Sequence, residues 1–456
     1  MVNPRVRLAE LVAALSLGVD LGFGQPMEHV LRQCLIALRL ADHASLGEQD
    51  RAAVYYTALL VNVGCHADAH EQAKWFGDDI ALKSGKYAHE PGSVRAVLAS
   101  MRLVGAGNPP LHRFRVGLEF ALSGHRDMEG MIETHAALAR RRAGKQFDPA
   151  LAALLCGNAQ EILGGLEAVP AWRTVIAAEP ALAVDQSAQQ LDSALTAIAN
   201  FVDLKSPFTL GHSVAVAGLA EEAASRLGWP RAEQVMLRRA GLVHGFGRLG
   251  VSNSIWDRPG PLSAGEWERI RMYPYLTERM LHQSAALAPL GEVAVQHRER
   301  LDGTGYPRGL SGGAISRQAR VLGAAEAYQS MREPRPHRPA LPAENAAAEL
   351  RTEVRAGRLE SAAVDAVLEA AGHRVPRRRE APAGLTAREV EVLILLARGM
   401  SNKQIAERLV ITPKTAGNHV EHIYAKIDAS NRAAAAMFAV QHGLLPEERT
   451  ATTPAS

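Results

Sequence analysis

Three helix-start signals near the C-terminus constrain the fold more than any other feature of this sequence. Thr386–Glu389 and Ser401–Gln404 are capping boxes, in which a hydroxyl and, three residues later, a carboxyl or amide satisfy free backbone N–H groups. Thr412 caps a third helix, and Pro413 takes its first position, where the missing N–H costs nothing. Gly399 ends the first helix. This segment is therefore predicted to form short helices joined by tight turns.

The third of these helices has two chemically different faces. The residues of its apolar face recur at three- and four-residue steps: Ala416, Val420, Ile423 and Ile427. Lys414 and Asn418 point to the opposite side, while Thr415 and His419 lie on the flanks, because each residue turns the helix by about 100°. Two short helices of this kind form a helix-turn-helix, and a fourth helix, 431–442, is apolar enough to pack beneath them.

The whole segment resembles the LuxR-type DNA-binding domain. The matching pattern is Leu-Thr-x-Arg-Glu-x-Glu-Val-Leu, then Gly-x-Ser-Asn-Lys-Gln-Ile-Ala, then Lys-Thr-x-x-x-His-Val-x-x-Ile-Tyr-x-Lys-Ile. The resemblance implies double-stranded DNA as partner, with Lys414, Thr415, Asn418 and His419 facing the major groove or its phosphates and Lys403 the backbone. Regulators of this type usually bind two half-sites as homodimers. The alternative is a four-helix adaptor that never meets DNA.

A second constrained stretch lies in the middle of the chain. His297 and Glu299 run into the glycine- and proline-rich loop 302–307, whose residues force an unusual, rigid backbone: Asp302, Gly303, Thr304, Gly305, Tyr306 and Pro307. Upstream lie His212, after a glycine, and His244, in Val-His-Gly-Phe-Gly-Arg-Leu-Gly. Together these motifs resemble HD-GYP domains over residues 200 to 372. The resemblance implies an all-helical phosphohydrolase that uses metals to hydrolyse cyclic dinucleotides.

Carried over residue by residue, the resemblance gives an incomplete set of metal ligands. The residues that match ligand positions, or stand where the family has an aspartate, are His212, His244, His297 and Glu326. Gly245 stands where the family has the aspartate that bridges two metals, which argues against a binuclear site. Tyr273 and Arg298 stand where histidines are usual. Arg248 replaces a phosphate-binding lysine and is a candidate phosphate clamp, so no catalytic residue is assigned with certainty.

Three hypotheses about this site remain open. The four remaining ligands could hold a single divalent metal such as iron, manganese or zinc. The pocket could instead be empty, with hydrogen-bonded histidines, or it could bind a nucleotide without cutting it. Arg298, placed inside a former metal cluster, favours anions over cations.

A weak internal repeat predicts a second, degenerate HD-like domain in the first part of the chain. His29 precedes Asn62 by the same interval as His212 precedes Gly245, and Val61-Asn62 replaces the His-Asp pair. The predicted layout is a degenerate HD-like domain (1–164), an HD-GYP-like domain (165–372), a basic linker (373–383), a helix-turn-helix domain (384–446) and a disordered tail (447–456). The predicted fold class is all-α.

Composition adds a few limits. Hydrophobic residues make up 47% of the 456 residues and charged residues 22%, as in a folded protein, while a net charge of +3 requires any DNA affinity to come from a local patch. Cys34, Cys65 and Cys156 lack metal-type spacing and read as reduced thiols. Asp20 interrupts the apolar stretch near the start, so neither a membrane span nor an export signal is predicted, and the protein is expected in the cytoplasm.

The sequence therefore favours a bacterial transcription regulator with a non-catalytic HD-GYP region that senses or scaffolds. One alternative is a metal-dependent cyclic-di-GMP phosphodiesterase that carries a DNA-binding domain. Another is a silent interaction protein whose intact loop docks onto a diguanylate cyclase domain. Gly245, Tyr273 and Arg298 argue against catalysis, but nothing in the sequence separates the first reading from the last.

Overall fold

The computed structural model is all-α, as predicted, and the residues that it describes contain no β-strand. Those residues are 6–66, 68–76, 78–88, 136, 137, 139–144, 147–180, 186–374, 382–409 and 411–445. The chain divides into two compact units, Met1–Arg374 and Val375–Ser456. Most of the predicted linker and the whole predicted tail lie outside the described residues. No helix in the described part of the chain is long and apolar enough to cross a membrane.

The described helices of the first unit begin with those that precede the predicted HD-GYP-like domain. They are α1 (Leu8–Gly22), α2 (His29–His43), α3 (Glu48–Leu60), α4 (Ala69–Phe76), α5 (Asp79–Ala88), α6 (Pro149–Gly157), α7 (Ala159–Leu163) and α8 (Ala171–Ala177). A 3₁₀ turn, Val63–His66, follows α3. His29 opens α2 and lies 3.0 Å from the Gln33 amide nitrogen, so in the structure it serves a local contact.

The second group of helices carries the predicted site. They are α9 (Ala188–Asp203), α10 (His212–Arg226), α11 (Arg231–Val243), α12 (Asn253–Trp256), α13 (Ala264–Arg271), α14 (Tyr273–Leu281), α15 (Ala288–Ala294), α16 (Arg317–Arg332), α17 (Ala343–Arg355) and α18 (Ser361–Ala370). The 3₁₀ turn Phe246–Gly250 follows α11, and a second, Gly312–Ala314, precedes α16. Helix α10 packs against α11, α16 and α18, which places it at the centre of this group.

Both groups of helices share one hydrophobic core. Leu17 of α1, Leu31 of α2, Leu195 of α9, Phe246 and Met280 are all buried in it. Each such side chain contributes about 1.5–3 kcal/mol relative to its exposed state. The boundary at residue 164 stays a prediction, but the N-terminal helices are built into the unit that holds the histidines, and α1 supports the turn Phe246–Gly250.

A buried polar network also attaches the N-terminal helices to this unit. Asp79, at the start of α5, accepts hydrogen bonds from the Ser252 hydroxyl at 2.8 Å and the Asn253 backbone N–H at 2.8 Å. The Lys205 ammonium lies 3.2 Å from the same carboxylate. Burial opposes ionisation, yet these cations and donors lower the pKa of Asp79 below its ordinary value. The charged carboxylate thus fixes α5 beside α12.

The second unit is the predicted four-helix arrangement. Its helices are α19 (Ala387–Ala397), α20 (Asn402–Leu409), α21 (Pro413–Ile427) and α22 (Arg432–Gln441). Its core contains Ala416, Val420 and Ile423 of the predicted apolar face of α21, and it also includes Val392, Leu396, Ile405, Ala435 and Ala439. The capping box at Thr386 and the N-cap at Thr412 are present as predicted, with Pro413 at the first helical position.

Candidate functional sites: a buried histidine cluster and an exposed recognition helix

The structure brings the four predicted ligand residues together in the interior of the first unit. His212 opens α10, His244 follows α11, His297 follows α15 and Glu326 lies in α16; all four are fully buried. The imidazole centroids of His212 and His244 are 5.4 Å apart, and those of His244 and His297 are 5.1 Å apart. We call these four residues the histidine cluster.

Two glycines allow the surrounding elements to approach the histidine cluster. A Cβ atom at Gly247 would overlap the carbonyl oxygen of Tyr273, so only glycine lets the turn after His244 pack against α14. A Cβ atom at Gly323 would lie 2.7 Å from the carbonyl oxygen of His297. The absence of a side chain at that position lets α16 carry Glu326 to the histidines.

Hydrogen bonds at Nδ1 fix the tautomer of each histidine. Nδ1 of His244 lies 2.6 Å from the Gly241 carbonyl oxygen, and Nδ1 of His297 lies 2.5 Å from that of Ala294. Because a carbonyl only accepts, each Nδ1 carries the proton and each Nε2 keeps a lone pair. Burial lowers the pKa of both histidines well below the ordinary value, so they stay neutral.

His212 has the same tautomer with a different partner. Its Nδ1 donates to the Glu333 carboxylate at 2.7 Å, and its Nε2 accepts from the guanidinium of Arg248 at 3.1 Å. Burial, followed by the charge of Arg248, lowers the pKa of His212 well below its ordinary value. Sequence reasoning did not single out Glu333, because it lies just after α16, outside any helical pattern or motif.

The Nε2 atom of His297 is occupied by Tyr273, which the sequence analysis predicts to stand at a histidine position of the family pattern. Tyr273 donates its hydroxyl proton to this nitrogen at 2.6 Å, and its oxygen accepts from Nε of Arg298 at 2.9 Å. The terminal nitrogen of Arg298 in turn pairs with Glu326. Tyr273 and Arg298 thus supply hydrogen-bond donors to the histidine cluster.

The carboxylate of Glu326 is held in its charged form by this pair. One oxygen accepts from Arg298 and, at 2.6 Å, from the Ser330 hydroxyl. Burial favours the neutral acid, yet Arg298 outweighs it and holds the pKa of Glu326 well below its ordinary value. The other oxygen, Oε2, has no hydrogen-bond partner among the described residues.

The residues present do not fit a resident metal ion. Of the three Nε2 lone pairs, Arg248 and Tyr273 occupy two, and only that of His244 is left without a partner in the described part of the chain. Gly245 supplies no carboxylate. Within the described ranges, no group of three or more His, Cys, Asp or Glu side chains is arranged to hold a metal. The set His212, His244, His297 and Glu326 is therefore together in space but already hydrogen-bonded within the protein.

Arg248, the predicted phosphate clamp, points into this interior. It is 6% exposed, and its guanidinium carbon lies 5.7 Å from the ring centres of both Trp256 and Tyr273. One terminal nitrogen donates to His212. Its Nε and its other terminal nitrogen have no hydrogen-bond partner among the described residues.

The glycine-rich loop is held in place from its base by Glu299. This carboxylate accepts backbone N–H bonds from Arg308 at 2.7 Å and Leu310 at 2.9 Å. At the tip, the exposed Asp302 accepts from the Thr304 N–H at 3.0 Å. These bonds give the predicted loop a defined shape. The loop residues that the sequence analysis names are Asp302, Gly303, Gly305, Tyr306 and Pro307.

In the second unit, the predicted DNA-contacting residues lie on the surface. Lys403 on α20 and Lys414, Thr415 and Asn418 on α21 are exposed, whereas His419 is half-buried. The Thr415 backbone N–H donates to the Thr412 hydroxyl at 3.1 Å, and the two hydroxyls lie 2.7 Å apart. Thr415 thus takes part in the helix cap, while Lys414 and Asn418 expose their hydrogen-bond donors one turn apart on α21.

Comparison with known proteins matches both regions to families. An HD domain model matches residues 196–362, and the model for "bacterial regulatory proteins, luxR family" matches residues 383–439. The chain is 29% identical over 415 residues to 3'3'-cGAMP-specific phosphodiesterase 3 of Vibrio cholerae serotype O1, covering 75% of this chain and 90% of that protein. It is 35% identical over 180 residues to 3'3'-cGAMP-specific phosphodiesterase 1 of the same organism, covering 40% and 42% respectively.

A solved structure supports the fold. The crystal structure of a cyclic GMP-AMP specific phosphodiesterase of V. cholerae superposes with a TM-score of 0.52 and 23% identity, covering 81% of this chain and 99% of that one. The likeness therefore extends over most of the chain, well beyond the residues that the HD domain model matches. By the two family matches, the chain contains an HD domain at residues 196–362 and a domain of the bacterial luxR regulatory family at residues 383–439.

Proposed function

We propose that this protein is a cytoplasmic, DNA-binding transcriptional regulator whose HD region senses or scaffolds without hydrolysing a cyclic dinucleotide. The single observation that carries the proposal is that the histidine cluster is hydrogen-bonded within the protein. Arg248 and Tyr273 occupy two of its three Nε2 lone pairs, and glycine stands at position 245. The resemblance of the HD region to HD-GYP domains implies that hydrolysis needs a carboxylate at that position, because the carboxylate helps to generate the attacking hydroxide.

The output of the regulator is DNA binding through α21. Lys414 and Asn418 lie one helical turn apart on its exposed face, which suits a phosphate contact and a bidentate contact to a base edge. Because the net charge is only +3, affinity depends on these few contacts rather than on an overall positive field. We expect a homodimer on two half-sites, as is usual for this arrangement.

One experiment tests both halves of the proposal on the full-length protein. Fluorescence anisotropy with labelled duplex DNA should show binding that weakens as salt rises. In the same preparation, 3'3'-cGAMP and cyclic-di-GMP should stay intact with added manganese or iron, and elemental analysis should find far less than two metals per chain. About two bound metals together with product would contradict the non-catalytic assignment.

Phosphodiesterase activity on a cyclic dinucleotide is the second candidate. It is favoured by 29% identity to a 3'3'-cGAMP-specific phosphodiesterase along 90% of that relative's length. On this alternative the luxR-type domain would place the enzyme on DNA. The hydrolysis assay separates the two candidates, because only the enzyme forms product.

A further inference from the structure

The exposed face of α21 extends beyond the residues that the sequence analysis names. Lys414, Asn418 and Glu421 are all exposed and follow one another at steps of four and three residues. At about 100° per residue, their side chains leave the helix within an arc of about 60°. Glu421 therefore lies on the same face as Lys414 and Asn418, about 10 Å along the helix axis from Lys414.

Glu421 places a negative charge without a counter-ion on this face. The Glu389 carboxylate of the same unit lies 2.7 Å from the Lys426 ammonium, whereas Glu421 forms no ion pair within the described ranges. Its neighbours at three and four residues along the helix carry no positive charge: Gly417, Asn418, Tyr424 and Ala425. Because DNA phosphates repel a carboxylate, Glu421 favours binding only where it meets a hydrogen-bond donor of the DNA.

Gly417 is a second feature of this face that packing within the protein does not explain. It lies in the interior of α21, about 40° from Glu421 around the helix, where glycine is less stable than alanine. An added Cβ atom would contact only Nδ2 of Asn402 among the described residues, at an ordinary 3.8 Å, and no positive φ requires glycine there. Close approach of a ligand to the helix backbone does require glycine, and the ligand predicted for this face is DNA.

The major groove offers amino donors to a carboxylate in this position. Cytosine presents its N4 amino group there, whereas adenine presents its N6 amino group beside the acceptor N7. Guanine and thymine present only acceptors, O6 and N7 or O4. A carboxylate at the base edges therefore favours cytosine over adenine and is repelled by guanine and thymine.

We propose that Glu421 is a specificity-determining residue whose carboxylate accepts a hydrogen bond from the N4 amino group of one cytosine in each half-site. Gly417 is the position at which α21 comes closest to the DNA, and this close approach lets the Glu421 side chain reach the base edge. The inference rests on the proposed function, since it requires α21 to enter the major groove.

Selection from a pool of duplex DNA with a randomised centre tests the role of Glu421 in the full-length protein. Sequences bound by the wild type should carry cytosine at one position of each half-site. Because a glutamine amide pairs with N6 and N7 of adenine, Glu421→Gln should change the preference at that position from cytosine to adenine by about tenfold. Glu391→Gln removes the same charge from the exposed face of α19 and should select the wild-type sequence.

Two kinds of failure are distinguishable in this selection. If the wild type retains no sequence from the pool, the proposed function fails and the role of Glu421 fails with it. If the wild type selects a sequence but Glu421→Gln selects the same one, or if the selected half-site contains no cytosine, DNA binding stands and the role of Glu421 is wrong.

Gly417→Ala gives a readout in which stability and DNA affinity change in opposite directions. The calorimetric transition of the second unit should rise by about 3 °C, because alanine favours the helix and its Cβ atom fits. Affinity for the selected duplex should fall about tenfold, because the methyl group holds α21 away from the DNA. Unchanged affinity, or a lower transition temperature, would overturn the role of Gly417.

Gly218→Ala is the matched control for this variant. Gly218 lies in the interior of α10, which like α21 has 15 residues, and an added Cβ atom there would meet nothing within 4 Å. The substitution should leave the affinity for the selected duplex unchanged. An equal loss of affinity in both variants would show that Gly417 has no particular role at the DNA.

Discussion

The histidine cluster and the C-terminal domain show two ways in which a fold carries functional groups. In the C-terminal domain the fold depends on helix caps and an apolar core, and the predicted DNA-contacting side chains of Lys414 and Asn418 lie outside both, although Thr415 also takes part in a cap. In the histidine cluster the atoms that would perform chemistry are themselves buried polar groups that the fold must satisfy. Removal of a DNA-contacting side chain would leave the C-terminal domain folded. A histidine cluster without a metal would instead contain buried lone pairs that need hydrogen-bond donors.

Tyr273 and Arg298, which lie next to the histidine cluster, satisfy some of its buried polar atoms. Tyr273 and Arg298, which the sequence comparison predicts to stand at histidine positions of the family pattern, donate hydrogen bonds to His297 and Glu326 respectively. The histidines keep the tautomer that suits a metal, with Nε2 directed inward. The polar atoms of this interior are therefore paired largely with one another.

The largest expected effect comes from breaking the buried ion pair. Arg298→Ala leaves the fully buried Glu326 without its cation, and such a loss typically costs about 3–5 kcal/mol. Urea denaturation of the full-length protein, followed by far-UV circular dichroism, measures the loss in the first unit. The matched control is Arg226→Ala in the exposed Arg226–Glu222 pair, where about 0.5 kcal/mol or less is expected.

A double variant sharpens this test. Arg298→Ala combined with Glu326→Ala removes both charges. The double variant should therefore lose less free energy of unfolding than the sum of the losses in the two single variants. Strict additivity would mean that the two side chains do not interact, and the description of the cluster as internally paired would then be wrong.

The next effect concerns the exposed face of α21. Lys414→Ala together with Asn418→Ala should reduce DNA affinity about tenfold or more at fixed salt, since the base contact is worth about 1–3 kcal/mol and the lost phosphate contact weakens binding further. The circular dichroism spectrum should not change, because both side chains are exposed. Gln441→Ala, also exposed but on α22, is the control. Unchanged affinity of the double variant would exclude α21 as the recognition helix.

A smaller effect tests the capping box of α19. Glu389 accepts the Thr386 N–H at 2.7 Å and lies 2.7 Å from the Lys426 ammonium. Although partial burial opposes ionisation, these partners lower the pKa of Glu389 to about 2. A carboxylate with a lowered pKa stabilises the folded state fully above its unfolded pKa, near 4.5, and this stabilisation is lost as the pH falls toward 2.

Glu389→Gln should therefore destabilise the second unit by about 1 kcal/mol at pH 7 and flatten its loss of stability in acid. Differential scanning calorimetry of the full-length protein between pH 3 and 7 measures both changes. Glu391→Gln removes the same charge from an exposed pair with Arg388 and should have little effect. Identical behaviour of the two variants would show that the cap contributes nothing.

The two regions also differ in how far the sequence predicts them. Caps and apolar periodicity are local, so Thr386, Ser401 and Thr412 locate the first three helices of the second unit. The fourth helix, predicted over 431–442, spans Arg432–Gln441 with Asn431 as its N-cap. The family pattern likewise anticipates that His212, His244, His297 and Glu326 meet. Side-chain pairing across distant elements has no local signal. The contacts His212–Glu333 and Arg298–Glu326 connect positions 121 and 28 residues apart and depend on tertiary packing.

The smallest expected effect is that of Gly245→Asp, which should give no phosphodiesterase activity. Gly245→Asp restores the one carboxylate that the family pattern requires, and the space for it exists. The new side chain would lie beside Nε of Arg248 and pair with it, while Tyr273 still holds His297 and Arg298 still holds Glu326. Product formation from 3'3'-cGAMP or cyclic-di-GMP should therefore stay at background with manganese or iron. Clear turnover by this single variant would mean that the arginines do not stand in for metals, and that the histidine cluster is one residue away from an enzyme.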